Sequence, residues 1–234
     1  MSWEGSGDEY ASGAYLFRPS PDKKYPFSSF TSGKLFKGKV ITYIMVSNSS
    51  LLLILKLFSE NLTTTILINN KKIHEGFELE TFLEPLEDSA RKGKEVVLLI
   101  TSKNLQNGNT FYTDSNGYFM EKRVLNQRET YEPKLEKLYI PGNYYPITTA
   151  MIMEDSNRRL TIMIDRAQGV TSFKNGQAEM MIHRVCRADD SKGVAEILRE
   201  TERNSTQLIR VNTFHRIILS VPSRLVLSYL THYR

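Results

Sequence analysis

The sequence has few residues that would support disulfide or metal chemistry. It contains a single cysteine, Cys186, and both an internal disulfide and a cysteine-based zinc site need at least two thiolates. Its four histidines, His74, His183, His215 and His232, are too far apart for the i, i+4 spacing with which a helix presents two metal ligands. The chain is therefore predicted to hold no metal or other cofactor, and His183 and His215 are interpreted as structural.

Long hydrophobic runs and targeting signals are also missing. The most apolar stretch is Leu51–Phe58, which contains Lys56 and is far shorter than the roughly 20 apolar residues of a membrane-spanning helix. The N-terminus is acidic and polar, with no basic segment followed by an apolar run. The sequence thus predicts no signal peptide in this chain and no membrane partner.

Charge of one sign is not concentrated anywhere. The formal net charge is +5, but 31 Lys and Arg residues are interspersed with 26 Asp and Glu residues. A nucleic-acid-binding protein more often shows a basic stripe or patch, so no nucleic-acid partner is predicted. The Gly-x-Ser-x-Gly elbow, the Walker loop and the dinucleotide fingerprint are absent as well, which argues against three common classes of enzyme.

Short runs rich in β-branched, aromatic and leucine residues recur along the chain, separated by turn-forming residues, and this pattern predicts an all-β protein. Antiparallel sheets are expected from its many strands. One helix is predicted near Ser191–Arg203, and a polar stretch at 126–140 is interpreted as a connection. The predicted strands are Gly13–Phe17, Val40–Ser47, Leu51–Phe58, Thr63–Ile68, Phe77–Leu83, Glu95–Thr101, Phe111–Thr113, Thr148–Glu154, Leu160–Ile164, Ala178–Arg184 and Arg216–Val221.

Turn chemistry and glycan acceptors can also be located. The pairs Asn107-Gly108, Asn116-Gly117 and Asn175-Gly176 tolerate positive φ and are predicted to form hairpins. Three Asn-x-Ser/Thr sequons would accept glycans in a secretory lumen. The sequons begin at Asn48, Asn61 and Asn204.

No carboxylate pair suited to glycoside chemistry can be identified from spacing alone. Asp114 opens an Asp-Ser-Asn-Gly turn, and turn formation explains it at least as well as a site role. Tyrosine and arginine offer a flat apolar face beside hydrogen-bond donors, which suits hydroxyl-rich ligands, although most such residues pack or snorkel. The candidates of this kind are Tyr15, Tyr112, Tyr118, Tyr144, Tyr145, Arg18, Arg123, Arg166 and Arg184.

Several motifs occur in one order and together resemble a known family. They are 11–19 (ASGAYLFRP), 111–117 (FYTDSNG), 142–146 (GNYYP), 160–170 (LTIMIDRAQGV) and 179–184 (EMMIHR), followed by Asp189-Asp190. Their order and wording resemble the region after the catalytic barrel in glycoside hydrolase family 38, especially its lysosomal α-mannosidases. The resemblance extends from about residue 11 to residue 194.

The resemblance implies an antiparallel β-sandwich of the supersandwich, galactose-mutarotase-like type. Residues 1–125 would form its first part, 126–140 a connection and 141–234 its continuation. Members of the family are zinc-dependent retaining mannosidases, and their barrel, expected upstream of this chain, supplies the metal ligands and both catalytic carboxylates. The chain alone would then carry no catalytic residue, and its partners would be that barrel and mannose-containing glycans in a lysosomal or secretory lumen.

The same resemblance implies which side chains meet the sugar. Tyr15 would stack on or donate to a mannose hydroxyl, and Arg184 would orient a carboxylate or hydroxyl near the pocket. Asp114 and Asn116 are weaker candidates for sugar contacts, because the turn accounts for them equally well. Two alternatives remain open at this point: a stand-alone carbohydrate-binding module, and a structural β-sandwich with no sugar function.

Overall fold

The fold consists almost entirely of β-strands. The computed structural model of the chain describes residues 2–5, 19–25, 41–47, 50–58, 62–69, 76–86, 94–131, 139–186, 189, 195 and 197–222. Side chains are described at residues 62, 64 and 66 and throughout those ranges from residue 76 onward. A single turn of 3-10 helix occurs at Pro141–Asn143 within these ranges. None of the helices found there is long and apolar enough to cross a lipid bilayer.

In chain order, the strands of these ranges are β1 (Ser2–Gly5), β2 (Pro19–Tyr25), β3 (Ile41–Ser47), β4 (Ser50–Phe58), β5 (Leu62–Asn69), β6 (Gly76–Leu83), β7 (Lys94–Thr101), β8 (Thr110–Ser115), β9 (Phe119–Val124), β10 (Tyr145–Ile147), β11 (Ala150–Glu154), β12 (Arg159–Ile164), β13 (Gln168–Thr171), β14 (Gln177–Val185) and β15 (Val211–Ser220). The larger sheet has the order β3-β4-β5-β6-β15-β12-β11-β8-β9, and the smaller sheet has the order β10-β13-β14-β7-β1-β2. Every strand pair is antiparallel.

The two sheets pack face to face around a shared core. Side chains of the larger sheet, such as Met151 and Ile162, and of the smaller sheet, such as Val170 and Met180, belong to one buried cluster. Burying a side chain of this size stabilises the fold by roughly 1.5–3 kcal/mol, before the entropy of ordering it is subtracted. The antiparallel β-sandwich predicted from the sequence is therefore confirmed.

Strands from both halves of the chain interleave. In the smaller sheet β14 pairs with β7, and in the larger sheet β15 pairs with β6. The ranges 1–125 and 141–234 thus each contribute strands to both sheets, on either side of the predicted connection at 126–140. The core is common to the two ranges because neither range completes a sheet by itself.

Most predicted strands are present, with two kinds of difference. Strand β15 begins at Val211, five residues before the predicted start at Arg216, because the buried side chains Thr213 and His215 hide its apolar pattern. The short or polar strands β1, β2, β9, β10 and β13 were not predicted. The predicted strand at Gly13–Phe17 lies outside the described residues.

The predicted helix at Ser191–Arg203 is wrong for the residues described there. Ala195 has φ 56°, in the left-handed region that a right-handed helix cannot use. The Leu198 carbonyl accepts a hydrogen bond from the Cys186 amide at 2.8 Å, and Ile209 donates to the Glu200 carbonyl at 3.3 Å. The described residues Leu198 and Glu200 therefore accept backbone hydrogen bonds from other parts of the chain.

Two of the three predicted hairpin turns are confirmed. Asn116-Gly117 lies between the paired strands β8 and β9, and Asn175-Gly176 between the paired strands β13 and β14. The prediction for Asn107-Gly108 is wrong, since the strands that flank it, β7 and β8, belong to different sheets. There the turn, closed by the Thr110 amide and the Asn107 carbonyl at 3.2 Å, carries the chain from one sheet to the other.

Candidate functional site

Arg184 is held on the smaller sheet by a carboxylate of the neighbouring strand. It lies directly opposite Glu95, and its Nε donates to Glu95 Oε2 in an ion pair. The Glu95 side chain is 5% exposed and the Arg184 side chain 16% exposed, so Arg184 is the less buried partner of the pair. Cross-strand partners of this kind are fixed by register, so the position of Arg184 depends on the pairing of β7 with β14.

A β-bulge determines the face on which Arg184 lies. Strands β7 and β14 pair Met181 with Val97 and His183 with Val96, so Ile182 is an extra residue on β14. Without this insertion, alternation would place Arg184 on the inner face with Met180. With it, Arg184 shares the outer face of the sheet with Met181, and bulges commonly re-aim a side chain in this way beside functional sites.

The ion pair has an unusual titration. Burial raises the pKa of Glu95 to about 7, while attraction to Arg184 and the hydrogen bond from it oppose that rise. As pH falls through 7, Glu95 therefore becomes neutral, and the site gains positive charge.

The outer face beside this pair is covered by aromatic and aliphatic side chains. The Tyr144 hydroxyl donates to Glu179 Oε1, and Glu179 is 2% exposed. Gly169 permits this covering, because a Cβ built there would lie 2.8 Å from Met181 Sδ and 3.6 Å from Tyr144 Cδ1. The covering cluster consists of Val97, Ile140, Tyr144, Phe173 and Met181.

The GNYYP segment at 142–146 is held in place by Asn143. This residue is fully buried, and its Oδ1 accepts from the Asn126 amide while its Nδ2 donates to Asn126 Oδ1, both at 2.8 Å. Its Nδ2 also donates to the Tyr139 carbonyl at 2.7 Å. Asn143 thereby fastens the turn after β9 to the segment that carries Tyr144 and Tyr145.

Tyr145 is surrounded by two guanidinium groups. The Cζ atoms of Arg123 and Arg128 lie 4.5 and 4.7 Å from the centre of its ring, and Arg128 also donates to the Tyr145 hydroxyl. The ring of Phe111 meets Tyr145 edge-on, with centroids 5.7 Å apart. Of the sugar-binding candidates, Arg123 and Tyr145 are therefore engaged with each other.

Asp114 is occupied by structural hydrogen bonds. Its Oδ1 accepts from the amides of Thr148, Thr149 and Ala150, and its Oδ2 accepts from the Gly117 amide and the Thr148 hydroxyl. Burial acts to raise the pKa of Asp114, but these hydrogen bonds outweigh it and lower the pKa. These hydrogen bonds agree with the turn that the sequence predicts at Asp114. A contact between Asp114 and a sugar remains a prediction.

Asn116 lies at the exposed tip of the β8–β9 hairpin, with φ 51°. Tyr118 and Phe119 follow it and are 87% and 58% exposed. This tip belongs to the larger sheet, whereas Arg184 belongs to the smaller one. The structure therefore does not bring Asp114 and Asn116 together with Arg184, and the sugar contact of Asn116 also stays a prediction.

Of the remaining predicted site residues, only Asn204 lies in the part of the chain that the structure describes. Tyr15, Asn48 and Asn61 lie outside the described residues. Asn204 is exposed, with φ 58°, at the tip of a small loop that is closed by the bridge between Thr201 and Leu208. Its side chain is therefore open to modification, and its use as a glycan acceptor remains a prediction.

Metal ligands do not converge within the described ranges, where no group of three His, Cys, Asp or Glu side chains is arranged to hold an ion. His183 faces inward, and burial lowers its pKa while the charge of Glu200 opposes this. His215 is 1% exposed and lies 3.0 Å, through Nε2, from Gln168 Oε1. Burial lowers the pKa of His215 to about 4.

Sequence reasoning missed Glu95, Glu179 and Asn143. A charged residue at the start of the apolar run Glu95–Ile100 was a usable signal, because a buried carboxylate requires a partner. The partner could not be identified, since Arg184 lies 89 residues away and meets Glu95 only through strand pairing.

Comparison with known proteins agrees with this architecture. Residues 3–192 match the family model described as the glycosyl hydrolases family 38 C-terminal domain. A crystal structure of an alpha-mannosidase from Enterococcus faecalis V583 superposes with a TM-score of 0.50 at 13% identity, covering 83% of this chain and 24% of that one. At this identity the structural likeness supports the fold alone.

Relatives of higher identity are α-mannosidases. A probable alpha-mannosidase from Arabidopsis thaliana is 33% identical over 200 residues, which are 83% of this chain and 19% of that protein. The lysosomal alpha-mannosidase of Homo sapiens is 33% identical over 195 residues, covering 82% and 18% respectively. The chain thus spans about a fifth of the length of the curated relatives it matches. On the family match and these identities, the chain belongs to the C-terminal domain family of the glycosyl hydrolases of family 38.

Proposed function

We propose that this chain is the C-terminal β-domain portion of an α-mannosidase, which hydrolyses terminal α-linked mannose in glycoprotein glycans. Its contribution is to support a catalytic barrel and to present Arg184, together with Tyr15, to the bound glycan. Carbohydrate binding and the partnership with the barrel are parts of this proposal. The observation that carries it is the bulge in β14, which places Arg184 beside Glu95 on the outer face of the smaller sheet.

The chemistry of the Arg184 site suits a hydroxylated ligand. Guanidinium N–H groups donate in a rigid planar fork, and ion pairing to Glu95 reduces the rotamer freedom that binding would otherwise have to remove. Tyr144 and Phe173 beside it supply flat apolar surface of the kind that accompanies sugar recognition. The site therefore orients a ligand, but provides no group poised for bond cleavage.

Catalysis is assigned to the barrel because the buried carboxylates of the described residues do not form a catalytic pair. A retaining glycosidase needs two carboxyl groups about 5 Å apart. Glu179 lies opposite Leu99, four residues along β7 from Glu95, which separates the two carboxylates by roughly 13 Å at the rise of a strand. The ligands for the zinc implied by the family would likewise come from the barrel, since no metal-binding group occurs among these residues.

A lysosomal or secretory lumen is the proposed location, because several of the relatives are named lysosomal alpha-mannosidases. The exposed loop at Asn204 supports this location with an accessible glycan acceptor. Expression through a secretory pathway should give a product whose mobility changes on glycosidase treatment. At this sequon, Thr206→Val should abolish the modification and Ser205→Ala should not, because only the third residue of the sequon is recognised.

The decisive test combines binding and hydrolysis with the purified chain. Titration with methyl α-mannoside, followed by NMR shifts, should show weak binding that Arg184→Ala and Tyr15→Ala abolish. A chromogenic α-mannoside, with zinc at acidic and neutral pH, should not be hydrolysed. Arg210→Ala is the matched control, since Arg210 also pairs with a carboxylate, Glu84, but is 45% exposed on another part of the fold.

The outcomes separate the proposal from its competitors. Hydrolysis that is lost in the Arg184 and Tyr15 variants would show that the chain carries its own catalytic machinery. Binding without hydrolysis, in a chain that does not associate with a barrel added as a separate polypeptide, would identify a stand-alone carbohydrate-binding module. Absence of both sugar binding and barrel association would overturn the proposal.

A further inference from the structure

Four of the buried polar atoms that have no hydrogen-bond partner among the described residues lie close together between the two sheets. They are His215 Nδ1, Gln168 Nε2, Thr81 Oγ1 and Thr213 Oγ1. The residues are 1%, 7%, 3% and 0% exposed, respectively. Buried polar groups are nearly always satisfied by protein or by ordered water, so a group of four unsatisfied atoms requires an explanation.

Strand register places these residues together. Strands β6 and β15 pair Thr81 with Thr213, and His215 follows Thr213 by two residues on the same face. The imidazole reaches across to the other sheet, where its Nε2 lies 3.0 Å from Gln168 Oε1. Thr81, Gln168, Thr213 and His215 thus form one group, which we call the polar layer.

The polar layer divides the interior of the sandwich. On one side of it, Leu79 belongs to the larger apolar cluster. On its other side, Leu83 and Val211 belong to a second apolar cluster. Threonine reaches less far towards the opposite sheet than leucine does, so the threonines fill the boundary between the clusters less completely than leucines would.

The unsatisfied atoms include both donors and acceptors. If His215 Nε2 donates to Gln168, then His215 Nδ1 remains as an acceptor and Gln168 Nε2 as a donor. If the amide is turned over, the two roles are exchanged. The threonine hydroxyls can play either role, so a molecule that both donates and accepts fits every arrangement.

We propose that the polar layer is a binding site for ordered internal water, which hydrogen-bonds His215, Gln168, Thr81 and Thr213 and joins the two sheets. Internal water commonly makes about three hydrogen bonds to groups that would otherwise be unsatisfied. The neutral state of His215, whose pKa burial lowers, agrees with a ring that keeps one nitrogen as an acceptor.

Threonine-to-valine substitutions in the polar layer distinguish a hydrated layer from a dry one. They should lower the equilibrium constant for folding if water is bound there and raise it if the layer is dry. Thr213→Val removes a hydroxyl bound to water and should lower the equilibrium constant for folding roughly five-fold. Thr206→Val is the control, since Thr206 is an exposed residue of a loop and lies outside the polar layer. This control should leave the folding constant unchanged or raise it.

A second measurement counts the water directly. Oxygen-17 magnetic relaxation dispersion on the full chain should detect long-lived internal water, and the double variant Thr81→Val, Thr213→Val should lose part of that signal. A folding constant that rises in Thr213→Val, or a dispersion amplitude unchanged in the double variant, would overturn the proposal.

Discussion

Asp114 in the larger sheet and Glu95 in the smaller sheet are both almost inaccessible to solvent, yet the pKa values of their carboxyl groups shift in opposite directions. Glu95 lies deeper, and burial raises its pKa to about 7 although Arg184 opposes this. Asp114 accepts five hydrogen bonds, which outweigh the effect of burial and lower its pKa.

The difference shows that the depth of burial and the number of hydrogen-bond donors together decide the charge of a buried carboxylate here. Five donors replace the water that Asp114 has lost, whereas a single guanidinium does not replace the water that Glu95 has lost. Asp114, whose pKa is lowered, is consequently an anion at neutral pH and fixes a turn. Glu95 is a group that changes its charge near neutral pH beside the candidate sugar-binding arginine.

The largest expected loss of stability comes from a substitution at Asp114. Asp114→Asn places an amide nitrogen among backbone N–H donors and should lower the free energy of unfolding by about 3 kcal/mol or more. Urea unfolding at pH 7 measures this. The control is Asp155→Asn, because Asp155 accepts a similar set of backbone amides at the surface, where water can replace it. Equal unfolding midpoints for the two variants would contradict the assigned role of Asp114.

The next effect is an asymmetry within the Arg184–Glu95 pair. Arg184→Met takes away the cation that stabilises the charged form of Glu95, so it should cost about 3 kcal/mol of unfolding free energy at pH 8 and less than half as much at pH 5, where Glu95 is neutral. Glu95→Gln imitates the neutral form, which burial favours, so its cost should be smaller at pH 8 than at pH 5. Urea unfolding of both variants at pH 5 and pH 8 tests this. Equal costs at both pH values would show that Glu95 stays charged.

A smaller effect is the pH dependence of stability, in which Glu95 and His215 oppose each other. The raised pKa of Glu95 gives stability that is fully present below pH 4.5 and is lost as pH rises through about 7. The lowered pKa of His215 causes stability to be lost as pH falls from 6.5 through about 4. The two slopes should partly cancel between pH 4.5 and 6.5.

Single variants should separate these slopes. Glu95→Gln should make the chain lose stability more steeply as pH falls from 6.5, while His215→Gln should make it gain stability over the same interval. Unfolding free energies measured from pH 4 to 8 check both signs. If the two variants show the pH profile of the unaltered chain, neither group carries the titration assigned to it.

The smallest expected loss of stability comes from a substitution at Gly117, in the turn that Asp114 holds. Gly117 has φ 74° and donates its amide to Asp114 at 2.9 Å. Gly117→Ala should cost about 1 kcal/mol of unfolding free energy, because an L side chain rarely adopts this backbone conformation. Asn116→Gly is the control and should change stability by less than about 0.5 kcal/mol. Thermal melts that rank the two changes in the reverse order would contradict this strain.

Sequence pattern predicted the strands whose side chains alternate or are continuously apolar, such as β4, β6 and β12. The sequence pattern failed to predict strand segments whose inward-facing residues are polar, such as Thr213 and His215 in β15. In such segments the alternation of buried and exposed residues does not appear as an alternation of apolar and polar residue types. The pattern also failed at Ser191–Arg203, where helical spacing of Val194, Ile197 and Leu198 was overridden by backbone bonds to distant residues such as Cys186.

The candidate site was predicted only in part. The resemblance selected Arg184, but the bulge that turns it to the outer face depends on pairing between residues about 90 positions apart. Likewise, the spacing of Asp114, Asn116 and Gly117 predicted a turn, whereas three of the five donors to Asp114 come from the backbone of Thr148–Ala150 in another strand region. Local propensity cannot supply contacts that only the assembled sheets create.

Strand β15 is among the last described residues of the chain, yet it lies in the middle of the larger sheet, between β6 and β12. Until it is synthesised, both of those strands have an unpaired edge, and exposed edges readily pair with other chains. Pairing across such long sequence separations also makes folding slow. A nascent chain of this kind therefore passes through an aggregation-prone interval that ends only when β15 is inserted, so its yield should depend strongly on chaperones that shield those edges during synthesis.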